Sequence, residues 1–276
     1  MKREKRVTTF IYLLILIISA VAVVMPLYMT ILNSFKPYPE IAADITAFPI
    51  DFTWNNYIEA WTRLDFANSF KNTLIIAIFS NVGSVVFASM LGYWIVRHPN
   101  KFTNSVYFLI IAGMAIPFQG IMITYAKMIG LLNMGNHLMG VIVSNWVFST
   151  PMSMFLTAGA VKSVPYEIEE SARIDGCGPL KVYWQIVFPL IKGTIFTVAC
   201  LNIIDYWNNY LMTQFILTKK DMRTIQIAMQ SLFNEAFFAW DVALGAVSLS
   251  ILPLFIFFII AQKQVLDGVT AGAVKG

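Results

Sequence analysis

Five polar side chains, Asn202, Asp205, Tyr206, Asn209 and Thr213, recur in "LNIIDYWNNYLMT" at i, i+3, i+4, i+7 and i+11. At the helical advance of about 100° per residue they share one stripe. Two amides, a carboxylate, a phenol and a hydroxyl suit hydrogen bonding to a polyhydroxylated solute, with the tyrosine ring as a flat face. The same groups also serve as interhelical glue inside a membrane bundle. Asp205 stands apart as the sole formal charge in the apolar run Gly193–Leu217. A carboxylate in hydrocarbon marks a solute path or a proton site by default. Gln119, Asn145 and Trp146 are weaker path candidates in neighbouring apolar runs.

Bond-breaking chemistry has no comparable constellation. The phosphate-cradling pattern G-x-x-x-x-G-K-[ST] does not occur, and "GLLNMGNHL" from Gly130 lacks both its glycine spacing and its lysine. His98 and His137 are isolated, with no zinc motif or nucleophile elbow around them. Cys177 and Cys200 have no metal-ligand spacing, and the topology below places them in different compartments, against a disulfide. The expectation is a protein that is no enzyme by itself, with no cofactor and no metal of its own.

The elements that position these residues follow from composition. The 276 residues are 58% hydrophobic and only 12% charged, with a mean hydropathy of +0.69. A soluble domain carries about 25% charged residues, so this chain lacks the charge to dress a water-facing surface. The net charge of +4 is modest, and no basic cluster alternates with aromatics as a nucleic-acid groove requires. Six runs are long enough to cross a bilayer, which takes about 20 apolar residues. They are Thr8–Asn33, Thr73–Val96, Asn104–Tyr125, Leu138–Val161, Gly193–Leu217 and Val242–Ala261. "KREKR" and Ala20-Val21-Ala22 mimic a secretory signal, but the first run outlasts a signal's apolar core and reads as an uncleaved helix. The fold class expected is therefore all-α: a polytopic membrane bundle of six transmembrane helices in one domain, 1–276, in lipid of the cell membrane.

With the N-terminus inside, twelve Lys and Arg fall on the inner side and seven on the outer. That asymmetry places both termini in the cytoplasm. Outside lie segments of about 35–70 and 218–241. The first carries "WNNYIEAW", whose aromatics have helical spacing and suit a short helix at the interface. The second carries "FNEAFFAW", rich in aromatics that suit docking to a partner.

On the inner side, "SVPYEIEESARIDGCGPLKVYWQIVFPL", about 163–190, is the longest polar stretch between apolar runs. Ser163 can cap a helix, Pro165 suits its first turn, and Glu167, Glu169 and Glu170 favour the positive end of its dipole. Gly176 is placed for a left-handed C-cap, and Gly178-Pro179 turns the chain into a second helix ending near Pro189. Ile168, Ala172 and Ile174 are odd choices for a solvated hairpin and suit docking into a groove.

The segment resembles the EAA loop of ATP-binding-cassette (ABC) importer permeases: E-A-A, three residues, G, nine residues, I-x-L-P. Those places are held by Glu170, Ser171, Ala172, Gly176, Ile186, Phe188 and Pro189, with Ser171 for Ala and Phe188 for Leu as departures. "GVTAGAVKG", from Gly268, is similar to the tail of maltose-type carbohydrate permeases, and "NSFKP" with "WNNY" fits that class. The resemblance implies a permease subunit forming half of the pathway for a sugar or oligosaccharide. It implies a cytoplasmic ATPase dimer binding ATP and Mg, coupled through Glu170, Ser171, Ala172, Gly176, Ile186 and Pro189. In that reading Ala172 permits close approach and Glu170 offers a charge to the ATPase. It also implies a second permease subunit of different sequence and an extracytoplasmic solute-binding protein. Two alternatives stay open: an ABC permease for a non-sugar solute, and a proton-coupled carrier using Asp205, for which six helices are few.

Overall fold

The computed structural model describes the backbone of residues 2–233 and 239–273 and the side chains of 9–233 and 239–263. Every regular element among them is helical. In chain order these are α1 (Lys2–Asn33), α2 (Tyr38–Ala43), α3 (Asn55–Arg63), α4 (Phe66–Arg97), α5 (Lys101–Ala112), α6 (Phe118–Leu131) and α7 (Leu138–Lys162). There follow α8 (Tyr166–Ile174), α9 (Pro179–Val182), α10 (Phe188–Leu190), α11 (Lys192–Asn208), α12 (Ile225–Phe233) and α13 (Trp240–Ala273). Four helices, α1 from Thr9, α4, α7 and α13 to Lys263, are long and apolar enough to cross a membrane, and six spans result if each of two bent pairs counts as one. The protein is a multi-pass integral membrane protein.

Two of the expected apolar runs are not single straight helices. The run Asn104–Tyr125 is not one straight helix. α5 starts on a capping box, with Asn100 accepting from the Thr103 N–H and Thr103 accepting from the Asn100 N–H, both at 2.9 Å. The chain then turns by 105° between α5 and α6. Pro117 is the cause: it has no N–H to donate, and it forces Ile116 into extended backbone (φ −85°, ψ 111°). The run Gly193–Leu217 is likewise not one helix. α11 ends at Asn208, and Asn209 is extended (φ −74°, ψ 94°).

The described residues form two compact units, 1–67 with 228–253 and 68–227 with 254–276. In the first, residues 9–28 of α1 are exposed along their whole length, a helix all of whose faces are apolar and suited to lipid. The polar segment after α1 is a folded cap rather than a loose loop. Asn56 on α3 is buried and donates to the carbonyls of Ser34 (2.9 Å) and Lys36 (2.8 Å). Tyr57 shares a 2.6 Å hydrogen bond with Ser34, and Phe35, Phe52, Trp54 and Tyr57 stack around it. The Asp44 carboxyl accepts from Thr46 and is held below its usual range by that bond. The helix expected over "WNNYIEAW" is present as α3, and it lies close to α13: a Cβ on Gly245 would stand 3.0 Å from the Asn56 carbonyl oxygen.

The second unit is built on α4 and α7. Ser80, Ser84, Ala88 and Gly92 recur every fourth residue on α4, and Asn145, Ser149, Ser153 and Thr157 do so on α7. Fourth-residue spacing keeps each set on one face, and their small size lets the backbones approach. Asn145 donates to Ser80 (2.9 Å) and Ser149 to Ser84 (2.8 Å). A Cβ on Gly92 would lie 2.8 Å from Thr157 Oγ1. Trp146 lies over Gly83 and donates its indole N–H to the Phe79 carbonyl at 3.1 Å. The turn before α7 is tied to the segment after α11 by Asn136, left-handed at φ 56°, whose side-chain oxygen accepts from the N–H groups of Thr218 (2.8 Å) and Lys219 (2.9 Å).

A Cβ added at Gly83 would fall 2.1 Å from Trp146 Nε1, so the indole must move. Gly83→Ala is expected to destabilise the detergent-solubilised chain by about 1–3 kcal/mol, read as a lower thermal midpoint, with Gly83→Ala/Trp146→Phe recovering part of the loss.

Candidate functional site

The 163–190 segment is a helix, a tight turn and a second helix, as its capping residues predict. One detail differs: Ser163 does not start α8 but ends α7, its hydroxyl donating to the Ala160 carbonyl at 2.8 Å. The next residues are Val164 and Pro165, and Pro165 takes the extended position before α8. A hydroxyl after a helix finds that helix's free carbonyls first, which a reading by capping propensity alone does not weigh. At the other end Gly176 is left-handed (φ +84°). The Gly176 N–H donates to the Arg173 carbonyl (3.0 Å) and the Cys177 N–H to the Ala172 carbonyl (2.9 Å), a Schellman closure. After α9 the chain widens into a π turn over Tyr183–Val187, the Phe188 N–H reaching back to Tyr183. Pro189, which cannot donate, follows directly, and a wide turn is how a helix accommodates such a gap. The axis then bends by 80° between α10 and α11.

The inner face of this knob holds a buried charge cluster. Glu169 is 0% exposed. Its Oε1 accepts from Arg97 Nε (2.7 Å) and forms an ion pair with Arg97 Nη2 at 2.6 Å, and its Oε2 accepts from the Tyr93 hydroxyl (2.8 Å). Arg97 Nη2 also donates to the carbonyls of Val164 (2.9 Å) and Val161 (3.2 Å). Arg173 approaches Oε2 at 3.8 Å and donates to the Tyr166 hydroxyl at 2.9 Å. One guanidinium thus joins the end of α4, the end of α7 and the first turn of α8. Around it Tyr93, Val161, Val164, Ala172, Val182, Tyr183 and Val187 form a closed apolar core.

The outer face is different in kind. Glu170, Ser171, Ile174 and Gly176 are exposed, Ile174 at 82%. Ile168 and Leu180 are exposed beside them, and so is Pro189, while Ile186 is half-buried. Ala172 departs from the expectation of an interface position. It is buried in the chain's own core, because it lies three residues after Glu169 on the inward face.

The five-residue stripe splits in the same way. Asn202 is buried and donates to Ser153 Oγ at 3.2 Å; Tyr206 is buried and bonds Ser149 (2.7 Å) and Ser84 (2.6 Å). Both extend the seam between α4 and α7 onto α11, joined by Asn81 donating to the Ala199 carbonyl (3.1 Å). Asp205 is exposed. Asn209 and Thr213 lie beyond the helix end: the first accepts from the Met212 N–H (3.3 Å), and the second is buried in a short 3-10 turn. The face of α11 left uncovered runs through Leu201, Ile204, Asp205 and Asn208. Of the weaker candidates, Gln119 is exposed, whereas Asn145 and Trp146 bond α4.

Sequence reasoning missed the Arg97–Glu169–Tyr93 cluster and Asn208. A signal for the first existed: Glu169 and Ala172 share a helix face, and Arg97 closes a 32-residue helix with no other charge but Lys71. Among the described residues no group of three or more His, Cys, Asp or Glu could hold a metal. Both cysteines are free. The "GVTAGAVKG" side chains and residues 234–238 of "FNEAFFAW" lie outside the described residues.

The profile of a family described as "Binding-protein-dependent transport system inner membrane component" matches residues 84–269. The chain is 30% identical over 273 residues, 99% of each chain, to a probable starch degradation products transport permease of Thermoanaerobacterium thermosulfurigenes. It is 32% identical over 263 residues, 94% of each chain, to the melibiose/raffinose/stachyose import permease of Bacillus subtilis. In fold it is similar to a chain of a bacterial ABC transporter that imports alginate, at a TM-score of 0.80 and 20% identity, covering 95% of this chain and 97% of that one.

The two adjacent glutamates should separate in a stability measurement. Glu169→Ala leaves Arg97 buried without its carboxylate and is expected to cost about 3–5 kcal/mol, whereas the exposed Glu170→Ala should stay within about 0.5 kcal/mol. Thermal unfolding of the purified chain in detergent reads both.

Proposed function

We propose, since this chain belongs to the family of binding-protein-dependent transport system inner membrane components, that it is the sugar-handling permease subunit of an ATP-driven importer. The observation that carries the reading is the 163–190 knob, held by a buried ion pair on one face and bare on the other. A surface of Ile168, Glu170, Ile174 and Gly176, projecting from a fixed base, fits a groove on a second protein. In this reading that protein is a cytoplasmic ATPase dimer, which supplies the hydrolysis for which this chain has no phosphate loop. The chain itself is a transport subunit without catalytic activity.

Six spans, with each bent pair crossing once, and both termini inside agree with the Lys and Arg distribution. The uncovered face of α11 then borders the pathway shared with a companion permease. Asp205 and Asn208 are the groups we assign to the pathway, with Leu201 and Ile204 as its apolar wall. Asn202 and Tyr206 hold α11 to α4 and α7 and shape the pathway from behind. A carboxylate, an amide and aliphatic surface suit a sugar, whose hydroxyls need acceptors and whose ring carbons need apolar contact. Sugars are the cargo in the names of the two relatives. A solute-binding protein would deliver the cargo from outside.

The test is uptake into proteoliposomes holding this chain with its companion permease and ATPase, offered radiolabelled melibiose, raffinose and maltodextrins with the binding protein. Uptake of at least one sugar should require ATP and be abolished by Gly176→Pro. Asp205→Asn is expected to cut uptake about tenfold or more, with the complex intact, as loss of a pathway carboxylate implies. Asn202→Ala should instead lower thermal stability. Uptake driven by a proton gradient without ATP would overturn the reading in favour of a secondary carrier.

A further inference from the structure

The outward face of the knob explains how a partner could grip it, but a grip moves nothing unless the knob is fixed to a membrane helix. The fixing is specific. Arg97 is the last residue of α4, with its side chain 9% exposed, and Glu169 is in the first turn of α8, with 0% exposed. The apolar core around them could hold the knob in several registers, because dispersion contacts are non-directional. The ion pair cannot slide in this way. Glu169 has both oxygens engaged, by Arg97 and by Tyr93 of α4, and Arg97 also binds the two carbonyls at the end of α7. Any rotation of α8 relative to α4 exposes a desolvated charge to apolar surroundings, which is strongly unfavourable.

We propose that Arg97 and Glu169 are positioning residues that lock the knob to α4, so that both move as one body when a partner shifts the knob. This rests on the reading of the knob as the surface an ATPase grips, and it goes beyond that reading by naming where the motion enters the membrane. Tyr93 completes the lock from one turn earlier on α4. Exposed Glu170, one residue away, has no part in it.

The experiment measures the distance between spin labels at His98→Cys, just past α4, and Glu167→Cys, in the first turn of α8 and outside the gripped surface. The full chain carries Cys177→Ser and Cys200→Ser and is reconstituted in lipid nanodiscs with its co-purified partners, without nucleotide and with ATP plus vanadate. With the lock intact, one narrow distance should persist unchanged in both states. Glu169→Gln should broaden or split it without nucleotide and displace it further with ATP, while Glu170→Gln should leave it as it is. If Glu169→Gln fails to accumulate in the membrane, Arg97→Lys serves: it keeps the charge but loses the fork, and should broaden the distribution less. A pair with a purely structural role would lower yield without altering the distance in chains that fold. A distribution as narrow and unshifted in the folded variant as in the parent overturns the proposal. If the parent chain brings down no ATPase, or ATP alters nothing in the complex, the functional reading fails, and the nucleotide-free comparison still judges the lock.

Discussion

The contact between α4 and α7 is the one on which the rest of the second unit depends. Inside hydrocarbon no hydrophobic effect drives two apolar helices together, so close backbone approach and side-chain hydrogen bonds must do it. Ser80, Ser84, Ala88 and Gly92 face Asn145, Ser149, Ser153 and Thr157 at matching four-residue intervals; Asn145 and Ser149 bond Ser80 and Ser84 across the gap, and Gly92 lets Thr157 come close. Asn202 and Tyr206 add α11 to the same seam. With three helices joined along one line, α11 has a fixed rotation, and that decides which of its residues are covered and which are left bare.

The seam leads to the knob. α4 and α7 end within reach of one guanidinium, and Arg97 donates to the Val161 carbonyl in the last turn of α7 and to the Val164 carbonyl just past it, while binding the carboxylate in the first turn of α8. A helix C-terminus attracts a cation and a helix N-terminus an anion. Here one ion pair serves both ends across the elbow between α7 and α8. Burial makes the arrangement costly to break, as the proposed lock between the knob and α4 requires. The outward face, free of that constraint, can be shaped for a partner instead.

Proline and glycine place the remaining features. Pro117 turns a run that reads as one span into two helices at 105°, and Pro189 follows a π turn before the 80° bend into α11. Left-handed Gly176 closes α8 in two hydrogen bonds, which leaves Ile174 projecting and Ala172 folded back on the core.

Much of this was legible in the sequence because its causes are local. The long apolar runs, the short helix over "WNNYIEAW", the helix–turn–helix of the knob and the left-handed Gly176 follow from hydropathy, spacing and backbone sterics. The bends were only half legible: Pro117 was visible, but an apolar run reads the same whether straight or folded. What the sequence could not decide was which face of each helix meets another. Glu169 and Glu170 are adjacent and chemically identical, yet one is sealed under Arg97 and the other is bare. Asn202, Asp205 and Tyr206 read as one stripe, yet two of them bond the seam and the third is left open. Identity and periodicity place residues on a helix. The rotation of that helix is set by partners 49 to 122 residues apart in the chain, and only the packed structure brings those together.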